Sequence, residues 1–271
     1  MAFRRSGVRI PSGPPIAVVL FAGVWSAAAA SLVVRGLLEE VVLAAFTAVV
    51  VIIGTALSFL VAPRPPLQAR RRDRRTSVQA IVLIAVVVFS CVRFGPPWLT
   101  GITGWGHLPG WAYLIVVFVL PLMVVLMLGA KPADIGLVRG DRSFAVASVW
   151  VALRALMLAP AILTGQGLSF AGMFLLHLIG VGFPEELVFR GLLQTRLAYL
   201  LGSAWAVVLT GLLFGLWHLG INTSAHDGDL ATAAARCVLV QGTLGLGYGV
   251  AFARTRSVIA PALAHAAFNA N

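Results

Sequence analysis

Apolar residues in this chain come in long unbroken runs, without the narrow stripe of an amphipathic helix. The runs cover residues 16–34, 41–62, 78–99, 111–130, 144–164, 168–183, 199–219 and 237–253, with a last short run over 258–271. A helix needs about 20 apolar residues to cross a hydrocarbon core about 30 Å thick, and only helices or closed barrels satisfy their backbone there. The pattern predicts an all-α, polytopic transmembrane bundle of about eight to nine helices. The last run, about 14 residues long, extends about 21 Å at 1.5 Å per residue, less than a full crossing.

The connections between runs divide the chain. Residues 1–15, with Arg4, Arg5, Arg9, Pro11, Pro14 and Pro15, have no apolar pattern and read as a basic, disordered cytoplasmic leader. Residues 16–130 hold the N-terminal transmembrane helices and 131–271 the part with chemistry. The first run is a full span followed by many others, so it reads as a retained helix and not as a signal peptide. Arginines then fall on every second connection: Arg64 and Arg70 to Arg75 after the second run, Lys131, Arg139 and Arg142 after the fourth, Arg190 and Arg196 after the sixth, Arg254 and Arg256 after the eighth. The intervening connections carry Glu39 and Glu40 beside Arg35, then the stretch 100–110, then Asp227 and Asp229. The positive-inside rule makes the arginine side cytoplasmic and the N-terminus with it, and Trp98, Trp105 and Trp111 form an interfacial belt on the other side.

Composition agrees and narrows the function classes. The chain is 60% hydrophobic and 11% charged, which excludes a soluble core, and the net charge of +11 sits between apolar runs. That placement points to anionic lipid headgroups and to no nucleic acid. Arginine far in excess of lysine, with much Ala and Gly, suggests a GC-rich bacterial genome and hence a bacterial plasma membrane. The two cysteines, Cys91 and Cys237, lie far apart in apolar runs and form no disulfide or metal motif. Gly242, Gly245, Gly247 and Gly249 have no Lys-Ser or Lys-Thr after them, so they read as close-packing residues and not as a phosphate loop.

Against this background a few polar residues stand out. Gly182-Phe-Pro-Glu-Glu-Leu-Val-Phe-Arg190 places two carboxylates and a guanidinium in apolar surroundings, where each costs about 2.5 to 3.5 kcal/mol on insertion scales. Pro184 removes a backbone donor just before Glu185 and predicts a kink that admits water. Phe214 and His218 share one helix face, and so do His265 and Asn269. Converged from three helices, these groups suit peptide hydrolysis. A carboxylate takes a proton from water, an imidazole holds that water, and a second His with an Asn amide donates to the developing oxyanion. Glu185, His218 and His265 are also acceptable zinc ligands, but HExxH is absent, so a cofactor-free mechanism is the favoured expectation. Other residues read as bland: His177 lines or packs the same helix, Arg93 and Arg154 snorkel or pair with a carbonyl or an acid, and His107 and His226 belong to loops.

The order Glu-Glu-x-x-x-Arg at Glu185, Glu186 and Arg190, Phe-x-x-x-His at Phe214 and His218, and His-x-x-x-Asn at His265 and Asn269 resembles the CPBP intramembrane proteases. These are the type II CAAX prenyl endopeptidases and the bacteriocin-processing and self-immunity proteins also called the Abi family. The resemblance covers 168–271 and, more weakly, Lys131-Pro-Ala-Asp-Ile-Gly-Leu137. It implies that Glu185 activates water with help from His218. It further implies that His265 and Asn269 stabilise the oxyanion, and that Glu186 and Arg190 support the site. The substrate so implied is a peptide or protein at the membrane, cut near a C-terminus or a leader. Two other readings use the same residues: a transporter in which the acids and histidines relay protons, and a non-catalytic scaffold.

Overall fold

The computed structural model describes residues 14–62, 74–93 and 115–270. The leader, the arginines between positions 64 and 72, the tryptophans at 98, 105 and 111, and His107 lie outside the described residues, as do the side chains of Cys91 and Arg93.

The fold is all-α: it is 88% helical, with no strand among the described residues. In chain order the helices are α1 (Pro14–Val34), α2 (Leu38–Val61), α3 (Arg74–Arg93), α4 (115–127), α5 (Ser143–Met157), α6 (Ala159–Leu201), α7 (Ser203–Trp217), α8 (Leu219–Ala225), α9 (Leu230–Thr255) and α10 (Ile259–Asn269). Among these, α1, α2, α6 and α9 are long and apolar enough to cross a membrane, and α7 with α8 adds a fifth span bent by 43°. Of the eight full runs that hydropathy predicts, the third and fourth extend into residues outside those described, and the fifth differs for a local reason. Leu158 ends α5, and Pro160, which has no N–H to continue that helix, opens α6. The tail of the fifth apolar run then joins the sixth across a kink at Gly165, where φ is +99°, giving one helix of 43 residues. Hydropathy marks where the chain is apolar; it does not mark where helices stop.

The alternation of charge along the sequence becomes two faces of the bundle. On one face the ends of α2, α6 and α9 meet the 131–142 connection. Arg254 Nε donates to the Ala62 carbonyl at 2.7 Å, and Arg142 to that of Val61. Arg196 donates to Gln79 and to the Asp134 carbonyl, and the Val258 N–H to the Gly136 carbonyl. On the opposite face the α1–α2 turn meets the α8–α9 loop through Arg35 with Asp229 (2.8 Å) and Arg236 with Glu40. Asp229 also caps α9, accepting from the Ala231 and Thr232 N–H groups. The Thr232 hydroxyl, hydrogen-bonded to it, holds this carboxyl below its ordinary range.

The centre of the bundle is α9, which packs against α1, α2, α5, α6, α7 and α10. Its glycines allow this. A Cβ on Gly245 would lie 3.1 Å from the Gly211 Cα of α7. Trp150 of α5 wedges between α2 and α9, opposite Gly54 and Gly247, and donates to Ser58 Oγ at 3.0 Å. Close approach of small residues is how helices associate where lipid removes the hydrophobic drive.

Candidate active site

The site begins with how α6 passes Pro184. The helix continues through the proline at which the sequence predicts a kink. The preceding turn, Leu178–Gly182, widens to π geometry, and the Phe183 N–H reaches back five residues to the Leu178 carbonyl. A second π segment, Leu187–Gln194, follows, in which the Thr195 hydroxyl and the Arg196 guanidinium donate to the carbonyls of Arg190 and Gly191. Such wide turns recur at functional sites because they re-aim side chains without ending the helix. Glu185 accordingly lies inside a continuous helix that runs on to Leu201, and not near a helix end.

Gly182 then sets the distance to α10. A Cβ at that position would lie 2.9 Å from the Ala262 carbonyl oxygen and 3.3 Å from the Ala266 nitrogen, so only glycine permits this approach. The approach delivers His265 to the glutamate pair. Glu186 is fully buried and uses both oxygens: Oε1 accepts from His265 Nδ1 at 3.0 Å, and Oε2 pairs with Arg190 Nε at 3.1 Å. Arg190, also fully buried, donates through Nη2 to the Gly245 carbonyl at 2.9 Å, and its guanidinium lies 4.7 Å from the Phe214 ring centroid. Arg190 Nη1 is buried with no hydrogen-bond partner among the described residues.

Glu185 differs from its neighbour. Its side chain is 13% exposed where Glu186 and Arg190 are at 0%; Oε2 of each glutamate is buried without a hydrogen bond among the described residues, but only that of Glu186 is paired with Arg190. That oxygen is 4.0 Å from His265 Nε2. A molecule lying beside the pair can hydrogen-bond to both at about 2.8 Å. Glu185 is therefore the carboxylate left outside the ion pair, and Glu186 is the one committed to structure.

Aromatic rings hold the imidazoles. His265 stacks on Tyr248 with centroids 5.2 Å apart and meets Phe214 edge-on at 5.4 Å. Phe214 also meets His218 at 4.9 Å. His218 sits at the bend between α7 and α8, where Nδ1 donates to the Phe214 carbonyl at 2.8 Å. That bond leaves Nε2 as an acceptor.

Of the residues singled out in the sequence, Glu185, Glu186, Arg190, Phe214 and His265 form one contiguous cluster, and His218 joins it through Phe214. Asn269 lies one turn beyond His265 at the end of α10, half-buried, and no hydrogen bond joins it to the cluster among the described residues. The helix of this short last run holds through Asn269. His177 is half-buried on α6, with Nδ1 unpartnered among the described residues. Arg154 donates to the Ala270 carbonyl at 3.4 Å, the carbonyl partner anticipated for it. No three His, Cys, Asp or Glu side chains gather as cation ligands among the described residues.

Two contributors were not read from the sequence. Gln194 donates to the Gly249 carbonyl at 2.8 Å and accepts from Thr210, locking α6 to α9 and α7. Tyr248 is buried against His265. Its signal was its rarity: it is one of three tyrosines in the chain, set in the glycine run read as packing alone.

Residues 167–271 match the model of a protein family, the type II CAAX prenyl endopeptidase Rce1-like family. This part of the chain is similar to that family. No curated protein and no solved structure matches the chain. The matched segment contains every residue of the cluster, and the apolar helices are long enough to make this a membrane protein.

Proposed function

We propose that the protein is an intramembrane endopeptidase in which Glu185 activates water against a peptide bond. The observation that carries this reading is the Glu185 carboxylate, whose buried Oε2 has no hydrogen bond among the described residues and faces His265 Nε2 at 4.0 Å, beside a Glu186 held by His265 and Arg190. Water between Glu185 and His265 gives one proton to Glu185 as its oxygen bonds to the scissile carbonyl carbon. The carbonyl π electrons move to oxygen. Collapse of the tetrahedral intermediate breaks the C–N bond, and the Glu185 proton passes to the leaving nitrogen. Glu186, held by Arg190, keeps His265 turned with Nε2 toward the reactant, the role an orienting carboxylate has toward an imidazole. His218, in contact with Phe214, supplies a further acceptor beside the cluster. The face bearing Arg142, Arg196 and Arg254 is assigned to the cytoplasm, with the N-terminus on that side.

The test compares wild-type and Glu185→Gln protein. In detergent, cleavage of a peptide carrying a prenylated CAAX-type C-terminus is expected to fall by about 10²- to 10⁴-fold, with thermal unfolding unchanged. Terminal proteomics of membranes from cells carrying either form is expected to show cleaved ends for the wild type alone. Full activity in Glu185→Gln sinks the proposal.

A further inference from the structure

Two arginines hold a backbone conformation that does not suit them. Arg142 and Arg256 both have φ of +55°, in the left-handed region that glycine enters without strain, and they are two of the three non-glycine residues with positive φ among the described residues. Arg256 follows α9 at the position where a helix commonly ends on glycine. A strained arginine where glycine would fit needs a reason in its side chain, and both residues are exposed. Gly140 brings them together: a Cβ there would lie 2.6 Å from Ser143 Oγ, from the Ser257 Cβ and from the Thr255 carbonyl oxygen, so the segments that carry Arg142 and Arg256 meet around it. Arg254, in the last turn of α9, and Arg142 donate to the carbonyls of consecutive residues, Ala62 and Val61, whose Cα atoms are about 3.8 Å apart. Three guanidinium groups thus gather at the end of α2, and no carboxylate pairs with any of them among the described residues.

Other donors at this place also lack an acceptor. α5 begins at Ser143 with no side-chain cap, so its first N–H groups form the positive end of the helix dipole, and Phe144 and Ala145 in that turn are exposed. Ser143 itself is 1% exposed, and its hydroxyl, turned to the Gly140 junction, has no hydrogen-bond partner among the described residues. An uncapped helix start beside several guanidinium groups suits a phosphate, which accepts paired N–H bonds from one arginine and others from the backbone. The apolar surface around them decides which phosphate. Phe59 and Leu60 near the end of α2 are 48% and 75% exposed, and Phe144 is 51% exposed. The Arg254 guanidinium lies 4.4 Å from the Phe59 ring centroid, and that of Arg139 lies 5.7 Å from the Phe144 centroid. An ion held here has hydrocarbon beside it, as a headgroup has and a free ion has not, and the unpaired positive charge favours a lipid of net negative charge. We infer that Arg142, Arg254 and Arg256, with the start of α5, bind the phosphate of an anionic phospholipid, which ties α2, α5 and α9 together on this face.

The experiment adds dioleoyl phosphatidylglycerol, dioleoyl phosphatidylcholine or inorganic phosphate to the full chain in dodecyl maltoside, and reads the unfolding temperature and, by native mass spectrometry, the lipid retained. Phosphatidylglycerol at about 100 times its dissociation constant is expected to raise the unfolding temperature by about 5 °C, and the other two additives by less than about 1 °C. Glycine relieves the strain at φ +55°, so the double variant Arg142→Gly with Arg256→Gly is expected to fold and to unfold within about 2 °C of wild type in phosphatidylcholine. It is expected to lose the phosphatidylglycerol shift and to bind that lipid about tenfold or more weakly. Arg35→Gln, on the opposite face, is expected to keep the shift. A double variant that keeps the shift overturns the inference, since other arginines then carry the binding. An equal shift from phosphatidylcholine, or the full shift from inorganic phosphate alone, overturns it as well. Should the double variant fail to fold, Arg256→Gly alone decides: an affinity for phosphatidylglycerol within twofold of wild type overturns the inference. None of these readouts uses cleavage, so the outcome is independent of the peptidase reading.

Discussion

The two halves of α6 share a backbone and an apolar composition, yet they live in different surroundings. From 162 to 177 no residue is buried, and Leu163, Leu168 and Ile179 are 86%, 89% and 76% exposed. From 186 to 198 every residue is buried. Apolarity cannot be the cause, because lipid tails are as apolar as leucine and give no reason to bury it. The packed half differs in carrying Gly191, Glu186, Arg190 and Gln194, which allow close approach or demand hydrogen bonds from α9 and α10. Glu185 sits at the junction, one residue from the sealed wall and open on its other side. The site is thus built where a lipid-facing arm enters a polar-laced core.

The largest effect expected from breaking this contrast comes at Glu186. Glu186→Ala leaves Arg190 buried with no carboxylate and frees His265 Nδ1, a loss of about 3–5 kcal/mol for a broken buried pair. Thermal unfolding in detergent and the monodisperse fraction on size exclusion should both fall, and activity with them. Replacing both partners, Glu186→Leu with Arg190→Met, should return much of the stability and none of the activity. An unfolding temperature unchanged in Glu186→Ala means that the pair does not hold the core.

Gly182 and Gly180 give a smaller effect with opposite signs. Alanine at 182 drives a methyl to 2.9 Å from the Ala262 carbonyl oxygen, pushing α10 and His265 away, at about 1–3 kcal/mol and with loss of cleavage. At Gly180, on the arm side, nothing lies within 4 Å, so alanine should stabilise the helix by about 0.5–1 kcal/mol and leave cleavage intact. Equal responses at the two positions would erase the boundary drawn between the halves.

Much of this was legible before any coordinates. Glutamates, arginine and histidines stand out in a chain this apolar, and their spacing put Glu186 and Arg190 on one helix face and His265 on another. The two charged faces also follow the alternation of connections, because loops on one side of a bundle must meet. What escaped the sequence was packing. Pro184 marks a disturbance of the helix, but its form, a π turn within a continuous helix, is not in the sequence. Two apolar runs become one helix because Gly165 can take a positive φ where Pro160 has already started a new segment. Asn269 shares a face with His265 on paper, yet α10 turns only the histidine to the acids. Tyr248 is hidden for the reverse reason, since nothing in its spacing marks a ring that α9 presses against His265.

The smallest expected effect sharpens the contrast most. Leu168→Ala removes a side chain that faces outward on the arm, and such substitutions stay within about ±0.5 kcal/mol. Leu192→Ala, on the sealed half of the same helix, leaves a cavity and should cost about 2–5 kcal/mol. Thermal unfolding in lipid nanodiscs measures both under one condition, with lipid and not detergent against the arm. If Leu168→Ala instead costs as much as Leu192→Ala, the arm is covered in the membrane by protein and not by lipid, and the approach to Glu185 along that side is closed.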